Sequence, residues 1–71
     1  MNKTTLAWKE IGASTHVAMR GQDGEYMVRP EDYNIGFEAR WRPRNGWTDM
    51  LGVRTSAAEA KSLCEAHYYS T

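Results

Sequence analysis

Gly36-Phe37-Glu38-Ala39-Arg40-Trp41-Arg42 alternates apolar and charged residues without a break, and an Asn45-Gly46 pair and then Thr55-Ser56-Ala57-Ala58-Glu59-Ala60-Lys61 follow it. A period of two sends Phe37, Ala39 and Trp41 to one face of a strand and Glu38, Arg40 and Arg42 to the other. The strand is therefore half-buried and belongs to an antiparallel sheet. Ser56 can cap the orphan N–H groups of a helix, and Glu59, three residues on, can reach back to that cap. Within the helix, Ala57, Ala60, Leu63, Cys64, His67 and Tyr68 recur at spacings of three and four and draw a stripe toward the sheet. Lys61, Ser62 and Glu65 fall outside it, and Tyr69 to Thr71 are expected to fray.

The earlier part of the chain reads as more strands of the same sheet. Leu6 and Trp8 alternate with Ala7 and Lys9 in a first strand that Gly12-Ala13-Ser14 interrupts, and a second runs from Thr15 to Arg20. Asp23-Gly24 suits a tight two-residue turn. That turn pairs Val28 with Met19 and gathers Val17, Met19, Tyr26 and Val28 on one face, with Ala18, Arg20, Met27 and Arg29 on the other. Pro30 ends the third strand, because it lacks a ladder donor. After the opening stretch, a two-residue turn at Asn45-Gly46 pairs Arg42 with Asp49 and Trp41 with Met50, yet leaves Leu51 and Val53 among the arginines. A one-residue slip reverses every side chain, so burying Leu51 beside Trp41 calls for a bulge at Gly46 or Gly52. The expected architecture is α+β: an antiparallel meander of four to five short strands packed against one C-terminal helix. Residues 1–71 form a single domain, with strands over about 4–54 and the helix over about 56–69.

At 71 residues, the chain buries only roughly 60% of its unfolded surface, which leaves no room for a core and a deep catalytic cleft together. Nine basic residues balance nine acidic ones, so no net field draws in nucleic acid or an anionic membrane. The distribution is polarised, with acids at Asp23, Glu25, Glu31, Asp32 and Glu38 and bases at Arg40, Arg42, Arg44 and Arg54. A single cysteine excludes an internal disulfide and fits a reducing compartment. With no apolar run near the N-terminus, the expected location is the cytoplasm, with no membrane partner.

Several side-chain groupings bear on chemistry. Cys64 and His67 stand at i and i+3, but a zinc site wants four ligands, or three and water, and His16 is distant. Both read as packing residues, and no metal or cofactor is expected. No serine or histidine lies in a glycine-rich elbow or beside a paired acid, so the chain is not expected to be an enzyme. Arg40, Arg42 and Arg44, interleaved with Trp41 and followed by Trp47, could hold phosphates while an aromatic stacks a base. The alternative is cross-strand pairing of those arginines with Glu38 and Asp49. Glu31, Asp32 and Tyr33 form an exposed connection that could dock on a basic protein surface, and arginines and aromatics are favoured at interface hot spots. The expected partner-binding residues are Glu31, Asp32, Tyr33, Arg40, Arg42, Arg44 and Trp47. The chain would act as a monomer or a homodimer.

Leu6-x-Trp8, Gly24-x-Tyr26-x-Val28, Phe37-x-Ala39-x-Trp41, Gly46-Trp47, Leu51-Gly52 and Ser56-x-x-Glu59-Ala60-Lys61 together resemble a group of very short proteins of bacteriophages and prophages. The likeness runs over nearly the whole chain. It implies a strand meander closed by a helix, and a phage accessory protein that inhibits a host defence system. Among such proteins are anti-CRISPR factors, so the implied partner is a CRISPR effector complex held by stoichiometric binding. The balanced charge departs from the acidic, DNA-mimicking members of that group. Thr55-Ser56-x-x-Glu59-Ala60 is also similar to the helix start of HicB-type antitoxins, which would make the chain a toxin-neutralising partner. A small nucleic-acid-binding module using the arginine-bearing face is the further alternative.

Overall fold

In the computed structural model, which describes residues 6–12, 14–31 and 36–70, five strands follow one another in chain order. They are β1 (Lys9–Gly12), β2 (Thr15–Arg20), β3 (Gly24–Pro30), β4 (Phe37–Pro43) and β5 (Asp49–Arg54), followed by helix α1 (Ala57–Ser70). The sheet order is β1-β2-β3-β4-β5 with every pair antiparallel, so the meander and its helical cover are as expected. Residues 4 and 5 of the expected first strand, Ala13 of the first turn, and Thr71 lie outside the described residues. Within them, the ladder of β1 begins only at Lys9. Leu6 is instead buried in the core.

Helix α1 lies across β3, β4 and β5. Beneath it, Tyr26, Val28, Ala39 and Trp41 meet Ala60 and Cys64, with Phe37, Leu51, Ala57, Leu63 and Tyr68 packed around them. The period-two reading of β4 and the three-and-four stripe of the helix therefore converge on one core. Ser56 caps the helix: its Oγ accepts from the Glu59 N–H at 3.2 Å and donates to Glu59 Oε1 at 3.2 Å. Thr55 Oγ1 donates to the same carboxylate oxygen at 2.6 Å. These two donors, ahead of the exposed position, hold the Glu59 carboxyl below the usual carboxylate range.

Three expectations need correction. The β2–β3 turn is Gly21-Gln22-Asp23, with the Asp23 N–H donating to the Arg20 carbonyl at 3.0 Å, and Gly24 lies in the ladder opposite Pro43. The cause is close approach: at Gly24, with φ +151°, a Cβ would collide with the Arg42 carbonyl oxygen and lie 2.8 Å from Trp41. The parity flips, so Ala18 pairs with Tyr26 and faces the helix, while Val17 and Met19 pair with Met27 and Glu25 on the open side.

Next, Trp41 pairs with Asp49 and Arg40 with Met50, one position away from the two-residue-turn register. The connection 44–48 is longer than that turn. The expected bulge then appears beside Gly52: Leu51 is the extra residue, and Ala39 pairs with Gly52 and Glu38 with Val53. Gly52, at φ +154°, lies under the helix, where a Cβ would sit 2.8 Å from Leu63 Cδ2.

Finally, Lys61 and Glu65 are not purely solvated, and the helix continues through Tyr69 to Ser70. Glu65 Oε2 accepts from the Leu6 N–H at 3.3 Å and from Trp8 Nε1 at 3.2 Å, while Lys61 Nζ lies 5.7 Å from the Trp8 ring. The N-terminal segment is thus clipped to the helix by a carboxylate and a cation-π contact.

Candidate functional site

Among the described residues, the helix covers one side of the sheet and the other side is open. Its residues follow from the registers: Lys9, Val17, Met27, Arg40 and Met50 form one row across the five strands, Met19, Glu25 and Arg42 another, and Arg29, Glu38 and Val53 a third. The face mixes methionine and valine with ion pairs. Arg40 Nε lies 2.6 Å from Glu38 Oε1, which leaves Glu38 only 8% exposed, and Arg42 Nε lies 3.8 Å from Glu25 Oε2 across the strands. Two of the three arginines nominated for recognition therefore already face a carboxylate, Arg40 at hydrogen-bond distance and Arg42 more loosely. Arg44 lies beyond the ladder, where its backbone N–H donates to the Asp23 carbonyl at 2.8 Å and its side chain is exposed.

Two shallow hollows mark this face. One, of about 370 Å³, lies at the turn end between Met19, Gly21, Glu25, Arg42 and Arg44. The other, of about 640 Å³, runs along β1, β2 and β3 between Trp8, Ile11, Val17, Met19 and Met27, with Lys9 and Glu25 also lining it. Met19 and Glu25 line both, so the two are parts of one surface. Past Arg44, Trp47 stands 90% exposed on the β4–β5 connection.

The expected binding residues separate in space. Arg40 and Arg42 share the open face, and Arg44 and Trp47 follow on the β4–β5 connection. Glu31 lies at the far end of β4, its N–H donating to the Gly36 carbonyl at 3.0 Å. The length of that strand, roughly 20 Å at 3.3 Å per residue, divides it from Arg44. Asp32 and Tyr33 lie outside the described residues. The sequence reading put Met27 on the side of β3 away from Tyr26 and Val28, where it lies, and missed Ile11, Met19 and Met50, which the open face also carries. Met19 was assigned to the core by the slipped register. The usable signal was the volume contrast in β2, where small Ala18, not Met19, fits beside Tyr26 on the covered side.

On the covered side, the polar groups are engaged with one another. Tyr26 Oη is 2.8 Å from His67 Nδ1 and accepts from Arg20 Nη1 at 3.3 Å; the tautomer of His67 sets whether the phenol or the imidazole donates between them. Arg20 in turn lies 4.7 Å from the Tyr68 ring and 5.4 Å from the Trp41 ring. Burial raises the Tyr26 pKa, against the opposing effect of Arg20. Burial also pushes the Cys64 thiol up to about 12, with the Glu65 charge adding to it, so the sulfur stays protonated and non-nucleophilic at neutral pH. Among the described residues no cluster of three or more His, Cys, Asp or Glu side chains could hold a metal ion, and no helix is long and apolar enough to cross a membrane.

Comparison with protein-family models, with curated proteins and with solved structures finds no match.

Proposed function

We propose that this chain is a non-catalytic recognition module that docks on another protein through the turn end of its open sheet face. One observation carries the reading: Trp47 is 90% exposed on the β4–β5 connection, three residues after Arg44 in the chain. An exposed indole beside arginines has the composition of an interface hot spot. In the form that the phage-protein resemblance implies, the partner is a host defence assembly, a CRISPR effector complex, blocked stoichiometrically in the bacterial cytoplasm. Glu31 would then reach a separate part of that partner, given its distance from Arg44.

Recovery of partners from bacterial lysate on immobilised chain tests this, with Trp47→Ala and Arg44→Glu as controls. A defence component held by the parent chain and lost by both variants is the expected result. Recovery that is equal for all three would refute a role for this end of the sheet.

The nucleic-acid alternative fares worse on geometry. The ion pairs of Arg40 and Arg42 with Glu38 and Glu25 would have to open before phosphates could be held, and few counterions would be released. An electrophoretic shift of DNA or RNA that weakens steeply with salt would reverse that preference.

A further inference from the structure

The two edges of the meander are built differently. β1 is four residues long, carries Lys9 and Glu10, and shifts register between Glu10 and Gly12. Short length, charge and irregularity are what keep an edge from pairing. β5 is six residues long, and its middle, Met50-Leu51-Gly52-Val53, holds neither charge nor proline. Among the described residues no strand lies beyond it, so its outer backbone is a template for one more.

The bulge at Leu51 gives that edge an unusual symmetry. Asp49 and Arg54 pair with Trp41 and Phe37 and so stand on the helix side, while Met50 and Val53 pair with Arg40 and Glu38 on the open side. Between them, Leu51 packs against the core and Gly52 lies under Leu63, both on the helix side. From Asp49 to Arg54 the sides therefore run helix, open, helix, helix, open, helix, which reads the same from either end. Opposed residues of an antiparallel pair must point to one side. A second β5, turned about a two-fold axis between Leu51 and Gly52, meets that condition at every position.

We infer that the free edge of β5 pairs antiparallel with β5 of a second copy of this chain, joining the two sheets into one. Asp49 of one copy then opposes Arg54 of the other at both ends, Met50 opposes Val53, and Leu51 opposes the bare Gly52. The charges are available for this. Among the described residues Asp49 makes no ion pair, and Arg54 donates from Nη1 to the Val53 carbonyl at 2.8 Å rather than to a carboxylate. A hollow of about 330 Å³ bordered by Arg54, Glu59, Ser62 and Leu63 leaves room on the helix side for the incoming Asp49. Glu59 there is already bonded by Thr55 and Ser56. Met50 and Val53, 53% and 39% exposed, gain an apolar cross-strand neighbour. The two-fold contact uses each edge once and closes, whereas pairing β5 with β1 would run on as a fibre.

This edge is separate from the turn-end surface proposed above. Sedimentation and light scattering of the full chain, 8.1 kDa, test the pairing over a wide concentration range, and the mass is expected to double. Asp49→Arg, at an exposed position, turns both end pairs into repulsions and should weaken pairing about tenfold. Arg54→Asp should do the same, and an equimolar mixture of the two variants should recover it, because every end pair is then again of opposite sign. Amide hydrogen exchange needs no variant: exchange in β5 of the parent chain should slow as concentration rises, while exchange in β1 should not.

A monomer at every concentration overturns the inference, as does a mass that climbs past the dimer, a dimer indifferent to Asp49→Arg, or a dimer whose β5 amides gain no protection. A monomer whose β5 is protected only by a lysate protein also overturns it, since another strand then takes the edge. None of these outcomes bears on the turn-end reading, whose control is loss of a lysate partner on Trp47→Ala.

Discussion

Strand β3 carries two different proteins on its two sides. Toward the helix, Tyr26 and Val28 have no accessible surface, and the phenol oxygen is held between His67 and Arg20. Toward the open side, Glu25, Met27 and Arg29 remain partly accessible, and Glu25 is bound only loosely to Arg42 at 3.8 Å. One residue of register separates the two environments. The covered side therefore sets stability, and the open side is free to vary or to bind. Methionine suits the second role, because its unbranched chain adapts to a partner without dictating a packing arrangement.

The sharpest way to break this contrast is to truncate neighbours on the one strand. Tyr26→Ala removes a buried ring stacked on Trp41 at 4.6 Å between centroids and should cost about 3–5 kcal/mol. A domain this size has about 4–10 kcal/mol in all, so the variant should be largely unfolded by circular dichroism at 37 °C. Met27→Ala, one residue along, should cost under about 1 kcal/mol. Similar losses at the two positions, measured by urea denaturation, would show that the open side is buried in solution.

Gly24→Ala comes next. It adds a single methyl, yet it collides with the Arg42 carbonyl and forces an alanine into φ +151°. A loss of about 2–3 kcal/mol is expected from strain and the displaced strand. Gly12→Ala, where a Cβ would meet nothing within 4 Å, should change stability by less than about 1 kcal/mol. The pair separates close packing of the sheet from loss of glycine as such.

What the sequence made legible follows from which signals were redundant. In β4 every second residue is charged, so only one assignment of faces was open. At the helix start, Ser56 and Glu59 serve as one capping unit and fixed the boundary to within a residue. In β2, by contrast, Val17, Ala18 and Met19 are all apolar, and hydrophobicity alone could not orient the strand. The Asp23-Gly24 pair then pointed to the wrong turn, because Gly24 is needed for its lack of a side chain beneath Trp41 rather than for turning the chain. The candidate site was legible only in part for a related reason. Arg42 and Arg44 are neighbours in sequence and line one hollow, whereas the distance of Glu31 from them depends on topology that composition does not encode.

A gentler probe uses pH on the covered side. The Cys64 pKa is raised from an ordinary value of 9.0 to about 12, and that of Tyr26 is raised above 10.0. Both groups hold their protons more tightly when folded. Their contribution is complete below the unfolded values and is lost as pH climbs through the folded ones. Unfolding should therefore become easier between about pH 9 and 12, and Cys64→Ala should flatten part of that slope. In the native protein the thiol should resist iodoacetamide at pH 8 and react only when urea exposes it. Rapid native alkylation would mean that the helix does not seal this side.

The smallest effect concerns the cover itself. Helix α1 is held over the sheet partly by its cap, so Ser56→Ala should cost about 1 kcal/mol and lower the melting temperature by about 4–8 °C. Glu59 takes two of its donors from Thr55 and Ser56, and its pKa is depressed. A depressed carboxyl stabilises the fold above its unfolded pKa and loses that contribution as pH falls through the folded value. Below the usual glutamate range, then, the parent chain should approach the stability of Glu59→Gln, whereas at neutral pH it should melt higher. Since the cap lies at the helix start, on the covered side, neither substitution should alter what the open face binds. A change in that binding would show that the two sides of the sheet are coupled, and the contrast between them would need to be redrawn.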